Sequence, residues 1–214
     1  MSTSVAPSGP QTLAWDNYTL PDLQHRTHGF EAATAQLRGY EPDLIPGQVQ
    51  TRDYATAVLR VCQQLSGRPA DENQIEAAVE ARMARRSDWR ARGGHAHFLV
   101  GEQALYTTIG GAEVMVAQLQ ALRQVLEEPD PIEVFILPRD TEFVAPATNF
   151  LFYDRSRVTV ETATCQVIIT DPKGLAWYET VFERLAAQTS SYHAGLNLLT
   201  AALDHHRTSA ARGE

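Results

Sequence analysis

Residues 44–55 have the sequence Leu44-Ile45-Pro46-Gly47-Gln48-Val49-Gln50-Thr51-Arg52-Asp53-Tyr54-Ala55. Pro46-Gly47 is typical of a turn, because proline fixes φ and glycine accepts the positive φ that can follow. Thr51 is a suitable N-cap, and Asp53 in the first turn faces the positive end of the helix dipole. Apolar residues then repeat at helical spacing. The stretch therefore predicts a turn that leads into a capped helix ending near residue 65.

The composition is that of a globular protein. The chain has 214 residues, 43% of them hydrophobic and 21% charged, which suits one large domain. It has no apolar run long enough to span a membrane and no signal-peptide pattern at its start. Its two cysteines, Cys62 and Cys165, are far apart, so we expect reduced, small buried side chains and a cytoplasmic location.

The charge argues against a nucleic-acid surface. The formal net charge is −8 and the pI is about 5.4. Proteins that bind DNA present a basic face, because phosphate contacts supply most of the affinity. We therefore expect no direct nucleic-acid contact by this chain.

The order of patterns along the chain predicts the domain plan. Residues 1–20 are rich in Ser, Pro and Thr and predict a flexible N-terminal arm, residues 21–205 predict one folded domain, and residues 206–214 a flexible tail. Helical spacing predicts helices over residues 21–40, 51–65, 72–90 and 113–128, followed by two more near the C-terminus. Apolar runs predict strands over residues 95–100, 132–137, 149–153, 157–162 and 166–169.

These elements predict the fold class. Consecutive strands joined by short turns are typical of an antiparallel meander, and helices lie at both ends of the chain. The expected architecture is α+β: a central, mostly antiparallel sheet of four to six strands, flanked by N-terminal and C-terminal helices in a single domain.

A cluster of arginines and a pair of histidines are candidate ligand contacts. The predicted helix over residues 72–90 and the residues after it carry Arg82, Arg85, Arg86, Arg90 and Arg92. This pattern is compatible with a solvated helix face and with an anion or carboxylate site. His95 and His97 alternate on a strand at a spacing that metals can use, but no third ligand is identifiable, so no metal site is predicted.

Motifs for catalysis are absent from the sequence. It contains no Gly-x-Ser-x-Gly elbow, HExxH, CxxC, phosphate loop or EF-hand, and no cofactor is predicted. Glu102, Glu161, Asp140 and His193 are candidate acids or bases, but nothing in the sequence pairs them. Glu102 follows a predicted strand, where its carboxylate could face a cleft or cap the next turn.

Several ordered segments resemble one protein family. Residues 45–59 resemble the signature "(V/I)PGLLQT-x-x-YA-x-A-(V/L)", residues 80–86 the helix "ARxARQ", and residues 110–119 the segment "GG-x-x-VM-x-x-QL". Residues 100–105 and 135–138 resemble its strand segments "(L)xEAAL" and "V-x-V-(L)P". The family is the C-terminal effector-type domain of the actinobacterial Scr-like regulators, which carry an XRE helix-turn-helix domain and are described as antitoxin-like.

Departures from the family pattern are equally informative. Family members usually begin with the helix-turn-helix domain, whereas only about 20 residues precede the matching region here. Whether that domain was lost in evolution or trimmed from the chain stays open. Gln48 replaces an apolar residue of the signature, Arg86 replaces Gln, and Tyr106 stands where Arg is common. These changes are expected to re-line a pocket.

The resemblance leaves two hypotheses of different classes. The first is a stand-alone binding module for a small-molecule ligand or a small toxin-like partner protein, without membrane contact. The second is a cofactor-independent enzyme of the cyclase or isomerase type in specialised metabolism. The expected ligand-binding residues are Arg82 and Arg86 as anion contacts, Glu102 as polar anchor or proton-transfer group, Tyr106 as pocket wall, and Glu161. Association into a homo-oligomer is left open.

Overall fold

The computed structural model describes residues 9–69, 71–128, 131–146 and 148–213. The strands in these ranges are β1 (Gln11–Ala14), β2 (Gln36–Glu41), β3 (His95–Gly101), β4 (Ile132–Leu137), β5 (Phe150–Tyr153), β6 (Arg157–Glu161) and β7 (Cys165–Ile169). The α-helices are α1 (Leu20–Ala32), α2 (Arg52–Leu65), α3 (Glu72–Ala91), α4 (Glu102–Tyr106), α5 (Ala112–Glu127), α6 (Pro172–Ala186) and α7 (Tyr192–Arg212). Short 3-10 turns occupy Trp15–Asn17 and Gly47–Val49.

The strands form one sheet in the order β1-β7-β6-β5-β2-β3-β4. β2, β3 and β4 are parallel to one another, and the other four neighbouring pairs are antiparallel. The parallel strands are separated along the chain by helices, because a parallel pair needs a long crossover connection. The predicted α+β class, with a mostly antiparallel sheet in a single domain, is confirmed. The described sheet has seven strands rather than four to six.

The two faces of the sheet carry separate cores. On one face Trp89, Met115 and Leu199, from α3, α5 and α7, pack in the same core as Leu37 of β2. On the opposite face Phe182 of α6 packs against β5 and β6. We call these the helix-rich face and the α6 face. Side chains alternate between the two faces along each strand, so the position of a residue in its strand fixes the face on which it lies.

The largest departure from the sequence prediction is β2, which lies within the region predicted as a helix over residues 21–40. Helix α1 ends at Ala32, and β2 takes an interior position in the sheet. Gly39, which lies inside the predicted helix, is a strand residue: a Cβ there would lie 2.9 Å from Leu151 Cδ1 and 3.1 Å from Phe150 O. Glycine permits this close approach of β5. The prediction was wrong because the few apolar residues of the segment satisfy a helical stripe and a buried strand equally.

Capping at the start of α2 follows the sequence prediction, and α3 is capped in a similar way. The Thr51 hydroxyl accepts a hydrogen bond from the Tyr54 N–H at 3.4 Å. The Asp71 carboxylate accepts the N–H groups of Asn73 and Gln74. The turn and capped helix predicted from the opening stretch are confirmed.

Both ends of the described chain contain regular structure where flexible segments were predicted. Of the predicted arm, residues 1–8 lie outside the described residues, but β1 pairs with β7 and Trp15 Nε1 donates to Thr162 O at 2.9 Å. At the other end α7 continues to Arg212, and His206 within the predicted tail is buried. The edge strand β1 has only four residues, which is too short for a periodic pattern to be recognised. The last turns of α7 are rich in polar residues, so the sequence pattern did not show that this helix continues to Arg212.

Candidate functional site

The loop before α2 is held by buried side-chain amides. Gln118 of α5, which is fully buried, accepts the Thr51 N–H at 2.7 Å and donates to Val49 O at 2.9 Å. Gln50 donates to Ile45 O at 2.7 Å. These bonds satisfy main-chain groups that the loop would otherwise bury without partners. The segment that most resembles a family signature is therefore a fixed support from which side chains reach their neighbours.

A closed ion-pair network joins α1 to α3. Arg85 makes two bonds to Glu31, Nη2 to Oε1 at 2.5 Å and Nε to Oε2 at 2.9 Å. Arg85 also donates to Gln24 at 2.6 Å, and the Gln48 amide donates to Glu31 at 2.6 Å. All four side chains are buried. Because bidentate geometry matches the guanidinium to the carboxylate, this network is a structural connection.

The other members of the arginine cluster also turn toward the protein. Arg92 donates to the main-chain oxygens of Glu31 and Ala32, at the negative end of the α1 dipole. Arg86 donates to Gln50 O at 3.2 Å. The interpretation of this stretch as a solvated helix face is therefore wrong for its inward-facing members.

Arg82, three residues before Arg85 on α3, is bonded to neutral groups. Its Nη1 donates to Gln50 Oε1 at 2.6 Å and its Nε to Gln24 Oε1 at 3.3 Å. Burial lowers the pKa of Arg82 to about 10, and the positive charge of Arg85 acts in the same direction, whereas Glu161 opposes the shift. Among the described residues no carboxylate is hydrogen-bonded to Arg82. Its charge thus lacks the direct counter-charge that Arg85 has.

A row of polar side chains lies across the ends of three strands. The strand register places Glu41, Asn149 and Glu161 side by side where β2, β5 and β6 meet, and the alternation puts them on the helix-rich face. Glu41 is the last residue of β2, so the row lies at the carboxyl end of a parallel strand. Arg82 is within electrostatic range of both glutamates.

Glu41 has the most perturbed carboxyl of this row. Burial raises the pKa of Glu41 to about 8, and the negative charge of Glu161 adds to the rise. The Asn149 amide and the Arg82 guanidinium act in the opposite direction. Near neutral pH the Glu41 carboxyl is therefore largely protonated, and it has a proton to exchange.

The row opens to solvent beside α2. Glu161 and Cys62 are exposed, and the Cys62 thiol is influenced by Arg82 and Glu161. Desolvation raises the pKa of the Cys62 thiol, and the Arg82 charge opposes the rise. We call Glu41, Cys62, Arg82, Asn149 and Glu161 the Glu41 cluster.

The structure brings together part of the predicted site. Arg82 and Glu161 both belong to the Glu41 cluster, and Arg86 lies next to it through the Gln50 carbonyl. Arg82 and Arg86 were predicted as anion contacts, and the geometry now directs N–H groups of both toward Gln50.

Glu102 and Tyr106 make their contacts elsewhere. Glu102 is buried at the end of β3, where it accepts the Arg139 N–H at 3.1 Å. Tyr106 packs edge to face on His205, with ring centroids 5.4 Å apart. In the part of the chain that the structure describes, neither residue shares a hydrogen bond or an ion pair with Arg82.

Sequence reasoning missed Glu41, Asn149 and Cys62. Glu41 lies in the strand that was predicted as helix, so its neighbours across the sheet were not foreseen. No local pattern marked these residues, because Leu37-Arg38-Gly39-Tyr40-Glu41 does not alternate between apolar and polar side chains as a half-buried strand does. Cys62 was expected to be buried and is exposed, so that expectation was wrong.

Neither a metal centre nor a membrane span is found in the described ranges. No three His, Cys, Asp or Glu side chains there lie close enough together to hold a metal ion. His97 packs against the Phe135 ring at 4.6 Å on the α6 face, and burial lowers its pKa. No described helix has both the length and the hydropathy that crossing a bilayer requires.

The fold and the Glu41 cluster define a single-sheet α+β domain with an open polar site at a strand end. A family model described as "Domain of unknown function (DUF5753)" matches residues 24–201. The chain belongs to this family. No curated protein matches it.

Two solved structures are distantly similar. One is TrmBL2, described as an archaeal chromatin protein that shows a novel mode of DNA binding, with a TM-score of 0.41, 12% identity and coverage of 88% of this chain and 56% of that one. The other is a phosphatidylserine synthase of Haemophilus influenzae Rd KW20, with a TM-score of 0.48, 10% identity and coverage of 95% and 46%. The chain thus spans about half the length of each. These similarities are too distant to inform function.

Proposed function

We propose that the chain is a ligand-binding domain whose Glu41 cluster takes a small polar molecule with a cationic amine group. The observation that carries this proposal is the arrangement of the cluster: two carboxyl groups and an amide in one row, beside the partly buried Arg82 and open to solvent. Ligands of sheets with parallel strands commonly bind outside the carboxyl ends of those strands, and β2 ends at Glu41.

The preference for an amine follows from the hydrogen-bond acceptors that remain available in the cluster. Arg82 directs N–H groups to Gln24 and Gln50. The exposed Glu161 side chain accepts no hydrogen bond from the described residues. A primary ammonium group has three donors to offer. At about 4 Å from one carboxylate in a partly solvated site it gains roughly 4 kcal/mol before desolvation is subtracted.

Proton linkage makes this proposal specific. The Glu41 carboxyl, with a pKa raised to about 8, is largely neutral near pH 7. A cation bound beside it favours the ionised form, because opposite charges stabilise each other. Binding at neutral pH is therefore coupled to release of a proton from Glu41, and affinity rises with pH through this range.

The resemblance to Scr-like regulators supports a binding role. We infer that the chain is a regulator-derived domain that acts without direct DNA contact, in keeping with its net charge of −8. A small toxin-like partner protein is the other ligand that this resemblance implies.

An enzyme is the second candidate function, and Glu41 is the observation that favours it. A carboxyl with a pKa close to the working pH both accepts and donates protons efficiently. In a cofactor-independent isomerase or cyclase, Glu41 would move the proton and Glu161 or Arg82 would orient the substrate.

Native mass spectrometry of the protein purified from its own host separates these functions. A co-purifying molecule of defined mass that contains an amine supports the first proposal, and a stoichiometric small protein supports the partner. If incubation with the protein changes the mass of the recovered molecule or, for an isomerase, its chromatographic retention or NMR spectrum at constant mass, the chain is an enzyme.

Calorimetry with the recovered molecule then tests the site. Glu161→Gln and Glu41→Gln are each expected to weaken binding at least tenfold, and Glu41→Gln to abolish the proton release measured in two buffers of different ionisation enthalpy. Glu76→Gln, on the exposed side of α3, is the matched control and is expected to bind as the parent does. Unchanged affinity in both cluster variants would remove the Glu41 cluster from the binding site.

A further inference from the structure

A second surface lies on the edge strand β4, apart from the Glu41 cluster. Among the described residues, β4 is the last strand of the sheet and pairs only with β3. A groove of about 250 Å³ runs along its open side, between the end of α5 and the start of α7. Its walls include Val125, Leu126, Val134, Tyr192 and two glutamates.

Main-chain groups of β4 face this groove. The Ala96 N–H donates to Pro131 O, which sets the phase of the parallel ladder between β3 and β4. In such a ladder alternate residues bond to the neighbouring strand, so residues 131, 133, 135 and 137 face β3. The N–H and C=O of Val134 therefore point to the open side, where no group of the described residues is hydrogen-bonded to them.

The chain itself supplies the first bond that an added strand would make. The Ser190 N–H and hydroxyl both donate to Ile136 O, at 2.8 Å and 3.0 Å. The segment before α7 thus occupies the upper end of the β4 edge and leaves the edge at Val134 open. The chemistry presented there, one N–H and one C=O at strand spacing, is that of a peptide main chain.

We propose that the β4 groove binds an extended peptide segment of a partner protein, which pairs with β4 at Val134. Apolar side chains of the peptide pack beside Val125 and Leu126. Tyr192, which is 51% exposed at the groove, offers an aromatic contact of the kind that dominates interface energies.

Charge selects the peptide and argues against a second copy of this chain. Glu128 and Glu133 line the groove, and the chain has a net charge of −8, so Lys or Arg on the peptide is favoured. Two β4 edges placed side by side would instead bring these acidic side chains against each other, which is unfavourable in paired strands.

A displayed library of random eight-residue peptides, selected on the whole protein, tests the proposal. The selected peptides are expected to alternate apolar and basic residues. Each is then resynthesised with its main-chain nitrogens methylated at odd or at even positions, and binding is followed by fluorescence anisotropy. In strand pairing only one alternate set of N–H groups bonds to β4, so one methylated series is expected to bind at least tenfold more weakly and the other to bind as the parent does.

Variants of the protein locate the contact. Glu133→Lys is expected to weaken binding at least tenfold, and amide hydrogen exchange at Val134 is expected to slow when the peptide binds. Glu183→Lys makes the same charge change on an exposed site of α6 and is the matched control. Equal effects of the two methylated series, unchanged binding by Glu133→Lys, a library without binders, or a dimer with Val134 protected in the absence of peptide would each overturn the proposal.

Discussion

Arg82 and Arg85 lie three residues apart on α3 and have contrasting surroundings. Arg85 is held by the Glu31 carboxylate in bidentate geometry, and both side chains are buried. Arg82 has amide oxygens as its hydrogen-bond acceptors and faces Glu41 and Glu161 at longer range. The first network is complete within the protein. The second leaves charge and hydrogen-bonding capacity next to solvent.

The contrast shows how one helix serves structure and a candidate site. Spacing of three residues puts both arginines on the same side of α3, so their difference comes from what they meet. Arg85 meets the Glu31 carboxylate of α1. Arg82 meets only the Gln24 amide of α1, together with the loop before α2 and the ends of β2 and β6. Strongly perturbed titratable groups cluster at functional sites, and Arg82 and Glu41 are such groups.

Removal of the Glu31 charge is expected to have the largest effect. Glu31→Gln leaves the Arg85 cation buried without its counter-charge, which should cost about 3–5 kcal/mol of the free energy of unfolding. Urea denaturation measures this change. Glu161→Gln, in the open cluster, is the control and should stay within about 0.5 kcal/mol of the parent, as expected for an exposed site. Similar losses in the two variants would contradict the division into closed and open networks.

The sequence predicted the elements better than it predicted the site. Capping residues and apolar spacing are local signals, so α2, α3 and α5 were found with nearly correct ends. The row of Glu41, Asn149 and Glu161 depends on the register of strands that are far apart in the chain, which no local pattern contains. The arginine cluster was visible, but its division between Arg82 and Arg85 depends on α1 and the sheet.

Removal of the Gln118 side-chain amide is expected to have the next largest effect on stability. Gln118→Ala leaves Val49 O and the Thr51 N–H without their partner in a buried loop, so the free energy of unfolding should fall by about 2–3 kcal/mol. Gln124→Ala, on the exposed side of the same helix, is the matched control. Equal stability of the two variants would mean that the loop is held by other contacts. The loop also carries Gln48 and Gln50, so the variant should disturb both the Glu31 network and the contacts of Arg82.

Replacement of the Glu41 carboxyl is expected to have a smaller effect on stability, and this effect depends on pH. Its pKa in the folded protein is about 8, against the ordinary 4.5, so the folded state binds the proton more tightly than the unfolded state does. This stabilising contribution is complete below pH 4.5 and is lost as pH rises toward 8. Glu41→Gln mimics the protonated form, so its stability should lie close to that of the parent at pH 5 and exceed it at pH 8.5. The full shift corresponds to at most about 5 kcal/mol, and we expect about 1–2 kcal/mol because solvent screens the partly exposed carboxyl. Urea denaturation at the two pH values measures the difference.

The control for Glu41 is a carboxylate outside the cluster. Glu80→Gln should show the same small difference from the parent at both pH values, because Glu80 lies on the exposed side of α3. A Glu41→Gln protein that differs from the parent equally at pH 5 and pH 8.5 would show that this carboxyl does not titrate between them.

The smallest effect on stability is expected when an exposed ion pair of α3 is removed. These pairs have short contacts, so they test whether burial or distance makes a charge on α3 stabilising. Arg52 Nη2 lies 2.5 Å from Glu80 Oε1 and its Nη1 lies 3.0 Å from Glu76 Oε1, yet all three side chains are exposed. Solvent screening and side-chain entropy offset the attraction in such pairs, so Glu80→Gln should leave the urea midpoint unchanged within error. A loss approaching that of Glu31→Gln would mean that short contacts, rather than burial, decide which charges on α3 stabilise the fold. Urea denaturation in high salt separates the effect of burial from that of short contacts. Salt screens the exposed pairs and leaves the buried Arg85 network largely intact.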